Sequence, residues 1–113
     1  MSKRNIELLR ERFLFLEQNH SLQFVNGECP GILGIVILHY NRNDVEFVRI
    51  EKERDFYDFI VITNETNYNY ATICRDLELP DYSYDDYYGD KGLLKLANEV
   101  EQHFPQILVK YGS

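Results

Sequence analysis

Asp81, Ser83 and Asp85 stand at the first, third and fifth positions of a loop, the spacing at which oxygen ligands begin to surround a calcium ion between two helices. The pattern then breaks. The sixth position is Asp86 where the turn needs glycine, and the twelfth is Gly92 where the ion needs a bidentate glutamate. Asp85 and Asp86 also form a carboxylate pair, and glycoside chemistry uses two carboxyls, but at a controlled separation that adjacent loop residues do not supply. His20, His39 and His103 share no motif spacing, and only His39, in a strand-like run beside a turn, is a candidate for chemistry. Cys29 and Cys74 match no metal or redox spacing and are expected to be reduced. Gly27, Gly31 and Gly34 are not followed by the Lys-Ser or Lys-Thr of a phosphate cradle. The expectation is a protein without enzymatic activity, cofactor or metal.

What remains is charge and aromatic area. Residues 76–90 hold six of the chain's nineteen acids and no lysine or arginine, which leaves thirteen acids against twelve bases elsewhere. The formal charge of −7 is therefore local, and Tyr82, Tyr84, Tyr87 and Tyr88 are interleaved with it. Acids attract a cationic partner and speed its arrival, and tyrosines add stiff contact area with a hydroxyl. Asp81, Tyr82, Tyr84, Asp85, Asp86, Tyr87 and Tyr88 are the candidate partner-binding residues, the acids for charge pairing and the tyrosines as desolvated anchors. The competing reading is a solvated acidic loop with its tyrosines tucked into the core.

Nucleic acid is a poor fit, because phosphate is held by clustered bases and the one basic group, Lys3, Arg4, Arg10 and Arg12, is diluted by glutamates. The longest apolar run, Ile32 to Leu38, is too short to span a bilayer, and charges interrupt the N-terminal segment where a signal peptide would be apolar. A soluble, cytoplasmic protein without membrane contact is expected. The 113 residues fit one domain, 1–113, able to bury an ordinary core.

The elements follow from periodicity. Ile6, Leu9, Phe13 and Leu16 predict a helix over 3–18, with Ser2 as its cap. Leu22 to Val25 reads as a short strand closed by Asn26-Gly27; without it the sheet has three strands. β-Branched runs over 32–40, 45–51 and 56–63 predict an antiparallel sheet, turned at Asn41–Asp44 and Lys52–Asp55. The first of these runs is apolar nearly throughout, as in a strand covered on both faces or at the sheet centre. Alternation slips between Phe47 and Val48, which fits a bulge or a strand with two covered faces. A short helix over 70–77, an ordered acidic loop and a helix over 91–104 complete the chain, with Pro105 breaking or kinking that helix before a final helical piece. The fold class is α+β: a three- to four-stranded antiparallel sheet packed by N-terminal and C-terminal helices. The expected core includes Leu9, Phe13, Leu16, Ile35, Ile37, Ile60, Ile62, Leu96, Val100 and Phe104.

The segment Glu7–Leu16, Phe24 beyond it, Tyr40 near a hairpin turn, the charged strand Val45–Lys52 and the tail Pro105-Gln106-Ile107-Leu108 resemble small bacterial immunity proteins of polymorphic or contact-dependent toxin systems. The resemblance implies a stoichiometric inhibitor with no catalytic residue that occludes a toxin domain. Charge agrees with this, since a nuclease toxin must be basic to hold phosphate. Two other functions stay open: a homodimeric regulatory or assembly module, and a small-molecule binder in a cleft between sheet and helices.

Overall fold

Five strands run as a meander in the order β1-β2-β3-β4-β5, every neighbour antiparallel. The computed structural model describes residues 2–31, 34–80 and 82–112. Its elements are α1 (Ser2–Arg12), α2 (Leu14–His20), β1 (Gln23–Glu28), β2 (Ile35–Arg42), β3 (Val45–Glu53), β4 (Phe56–Ile62), β5 (Asn67–Tyr68), α3 (Tyr70–Asp76), a 3-10 turn (Tyr84–Tyr87) and α4 (Gly89–Tyr111). The α+β class stands, with one strand more than expected, because β5 is only two residues long and too short to show a period. Ser2 is the first residue of α1 instead of its cap, and the start of the 32–40 run and Asp81 fall outside the described residues.

The N-terminal helix is two helices. Phe13 leaves helical geometry (φ −113, ψ 23), and the kink lets Phe13, Phe15 and Leu16 all reach the core. Ser21 ends α2 in the left-handed region, and the Leu22 amide donates back to the Leu16 carbonyl at 3.0 Å. Asn26-Gly27 does not close β1, which runs on to Glu28 with its register shifting between Phe24 and Asn26. The reason is contact: a Cβ on Gly27 would lie 2.7 Å from the Ile6 side chain, so this glycine lets α1 approach the sheet.

Between β2 and β3, Asn43 and Asp44 both have positive φ, as a tight two-residue hairpin turn requires. The expected bulge is present. Tyr40 pairs with Val48 and Asn41 with Glu46, so Phe47 is the extra residue and both Phe47 and Val48 are buried. Pro105 does not end α4, which continues to Tyr111. Glu101, whose carbonyl loses its helical donor, is solvent-exposed, and buried Ile107 plus the Tyr111 hydroxyl donating to Asp76 at 3.0 Å hold the last turns in place.

All helices lie on one face of the sheet. Ile6 presses on Gly27, the Arg10 guanidinium sits 4.1 Å from the Phe24 ring, and Phe104 of α4 meets Phe59 edge-on at 6.4 Å. The strand residues of that face are Val36, Leu38, Tyr40, Val48, Ile50, Phe59 and Val61, buried in one core with Leu96, Val100 and Phe104. Ile35, Ile37 and Ile62, expected in the core, are only half-buried on the other face, and Ile60 beside them is 8% exposed. The error is one of parity: side chains alternate, so in a run apolar at every position the isoleucines and their neighbours compete for the core.

Candidate functional site

The acidic tyrosine segment is fastened to α4 by its own inner ring. Tyr87 is 2% exposed and its hydroxyl donates to Glu99 Oε1 at 2.8 Å; Tyr70 donates to the same oxygen at 3.0 Å. Lys95 donates to Glu99 Oε2 at 2.6 Å. Burial opposes the Glu99 charge, but these three donors outweigh it and hold the carboxyl below its usual range. Burial is the largest cause that raises both tyrosine hydroxyls far above theirs, followed by Glu99 for Tyr87 and by Cys74 and then Glu99 for Tyr70. Gly92 makes the close approach geometrically feasible, since a Cβ there would lie 2.2 Å from the Tyr87 carbonyl carbon. Tyr87 is thus a structural pin, which corrects its assignment as a partner anchor: its ring has no free face. Tyr82 is half-buried and stacks on it at 5.1 Å between centroids.

Tyr84 and Tyr88 point outward, 55% and 41% exposed. Phe56, at the start of β4, holds both: it stacks on Tyr84 at 4.4 Å and meets Tyr88 at 5.3 Å. A backbone bridge from Phe56 to Tyr88 and the Gly89 amide donating to the Asp55 carbonyl at 2.8 Å lock the segment against the sheet. The hydrogen bond to Tyr84 is the main cause that raises the Tyr88 hydroxyl to about 12. Asp85 and Asp86 are exposed, and no cation lies within ion-pairing distance of either among the described residues. Of the seven candidate residues, Tyr84, Asp85, Asp86 and Tyr88 share the surface, Tyr82 lies partly beneath it, Tyr87 is internal, and Asp81 is outside the described residues.

Phe56 also belongs to the sheet face opposite the helices, and this joins the segment to a surface that sequence reasoning missed. Register places Glu28, Ile35, Ile37, His39, Glu46, Arg49, Glu51, Glu53, Phe56, Asp58, Ile60 and Ile62 on that face. His39 bridges strands here, with Nδ1 2.6 Å from Glu46 and Nε2 against Glu28. Arg49 donates to Glu46 at 2.9 Å. Burial works against the Glu46 charge, yet Arg49 and His39 together hold its carboxyl low. Among the described residues, no three of the His, Cys, Asp and Glu side chains are grouped to hold a metal ion. The signal that would have found this face is the charge inserted at alternate positions of β3, read against the register of β2 and β4.

Glu51 and Asp58 sit directly opposite each other on β3 and β4. Asp58 accepts from the Tyr70 and Phe59 amides at 3.1 and 2.9 Å, but burial dominates and pushes it up to about 6, with Glu51 adding to the rise. The folded carboxyl therefore takes up its proton near pH 6, the unfolded one nearer 3.8. Stability from Asp58 is expected to rise as pH falls from about 7 to about 4, by roughly 1–3 kcal/mol. Glu46 and Glu99, both held low, act in the opposite sense only below 4.5. Urea midpoints at pH 7 and pH 5 for the protein and for Asp58→Asn measure this; a difference between the two that ignores pH would exclude Asp58 as the cause.

A cleft of about 370 Å³ between α1 and α4 is lined by Leu8, Arg12, Lys52, Tyr57, Asp90 and Leu93 among others. Its two bases and its acids are mixed around the rim, without the convergent polar set of a small-molecule site. No helix among the described residues is long and apolar enough to cross a membrane. No protein-family model, no curated protein and no solved structure matches this chain.

Proposed function

We propose that this is a non-catalytic binding protein of the immunity type, which occludes a basic toxin domain through its acidic, tyrosine-bearing surface. One observation carries the reading: Tyr84 and Tyr88 are exposed yet held by Phe56, beside the unpaired Asp85 and Asp86. Large apolar rings held rigid in water give contact area at little entropic cost to a partner, and unpaired acids beside them select a basic one. Asp85 and Asp86 steer, while Tyr84 and Tyr88 anchor.

The cognate toxin is sought by co-purification and from the neighbouring gene. Asp85→Asn with Asp86→Asn is expected to slow association and flatten its salt dependence. Tyr84→Ala is expected to speed dissociation by about thirtyfold, the scale of a hot-spot residue. Unchanged binding by both variants at low and high salt would reduce the segment to a solubilising loop. A second reading, a homodimer, has Val109 in its favour: it is 83% exposed and lines an apolar groove with Leu77 and Pro105. A solution mass that doubles, and returns to the monomer value in Val109→Lys, would support the dimer instead.

A further inference from the structure

We infer that the uncovered face of the sheet is a docking surface for a basic polypeptide, continuous through Phe56 with the acidic tyrosine segment. This rests on the reading that the protein binds a basic partner, and it names where the body of that partner lies. Three observations converge. Among the described residues the helices pack on one face of the sheet, and the outer-side apolar residues Ile35 and Ile37 of β2 are left half-buried with Ile62 across the sheet. An antiparallel sheet that faces water on one side ordinarily turns polar residues to it.

The second observation is the opposed pair Glu51 and Asp58. Like charges directly across a strand pair destabilise a sheet, and no cation ion-pairs with either among the described residues, because Arg49 is taken by Glu46. Asp58 is compensated by the Tyr70 and Phe59 amides, but Glu51 is not paired with a cation among the described residues, which leaves a carboxylate on this face for a partner's cation. The third is the sign of the whole face. Its acids are Glu28, Glu46, Glu51, Glu53 and Asp58, against Arg49 and the imidazole of His39. That balance argues against a second copy of this chain, which would bring the same acids together about a twofold axis. A segment carrying arginine or lysine between apolar side chains satisfies both the isoleucines and the excess of acids on this face, Glu51 first among them.

The probe is a synthetic peptide of arginines with interspersed leucines, titrated while backbone amide shifts are followed. Three proteins are compared: the parent, Glu51→Gln/Asp58→Asn and Asp85→Asn/Asp86→Asn. Removing an opposed like-charge pair should leave the first variant at least as heat-stable as the parent, so loss of folding does not confuse the result. Amides of residues 49–53 and 56–60 are expected to shift, and Glu51→Gln/Asp58→Asn to weaken binding about tenfold. Shifts confined to residues 84–88, with affinity untouched by the sheet variant, would overturn this inference and leave the acidic segment as the interface. No shifts anywhere would overturn both. A concentration-dependent dimer abolished by Ile37→Lys would make the occupant a second copy and overturn it as well.

Discussion

Truncating Phe13 to alanine is expected to destabilise the protein by roughly 3–5 kcal/mol, the range for a core phenylalanine. Phe13 has 0% exposure and occupies the kink between α1 and α2, where its ring meets Phe15 at 5.9 Å. Alanine would open a cavity in the core at the junction of α1 and α2. It would also favour joining α1 and α2 into a single straight helix, since alanine is the best helix former and Phe13 departs from helical geometry. Phe15 and Leu16 could not then both stay buried. Leu8→Ala, on the same helix but 49% exposed, is the control and should change stability far less. Urea unfolding measures both, and a Phe13→Ala loss under about 1 kcal/mol would mean that the site collapses around the cavity or that the kink is not held by this ring.

Glu99→Ala is expected to cost roughly 2–5 kcal/mol, because two buried hydroxyls lose their acceptor and each unsatisfied group costs about 1–3 kcal/mol. Tyr70 and Tyr87 are 1% and 2% exposed, so water cannot replace the carboxylate without the segment moving. Glu99→Gln keeps an acceptor oxygen and should lose clearly less. The two variants therefore separate hydrogen bonding from charge. The same change should reach the surface: with Tyr87 unpinned, Tyr84 and Tyr88 lose the backing that places them around Phe56. If the acidic segment binds a partner as proposed, that binding should weaken in Glu99→Ala although Glu99 lies behind the segment. Equal stability of the alanine and glutamine variants would show that the hydroxyls find other acceptors.

Much of the fold was legible because its signals are short-range. The hairpin turn at Asn43-Asp44, the slip at Phe47-Val48 and the apolar stripe of α4 are each written within a few residues. What was not legible depends on contacts far apart in the chain. Asn26-Gly27 reads as a turn until Ile6 is seen resting on Gly27. Pro105 reads as a stop until Ile107 and the Tyr111–Asp76 bond are seen holding the helix beyond it. The acidic segment was located correctly in the chain, but composition could not say which tyrosine faced inward. Glu99 chooses Tyr87, and it lies twelve residues away on another element. The charged sheet face was invisible for a further reason: its members sit on four strands and become neighbours only through register.

The meander has a consequence for how the protein is made. Each strand pairs with the next in sequence, so the hairpins can close as they leave the ribosome, an order of assembly that needs no distant partner. β4 is the exception on its helix-facing side. Phe59 and Val61 wait for Leu96, Val100 and Phe104, which are synthesised later, and at about 5–20 residues per second the delay is on the order of seconds. For that interval a finished sheet carries an apolar row in water, beside a second face that holds isoleucines of its own. A run of slow codons between Ile62 and Gly89 would lengthen the interval and raise aggregation during synthesis, while every atom of the folded product stayed the same.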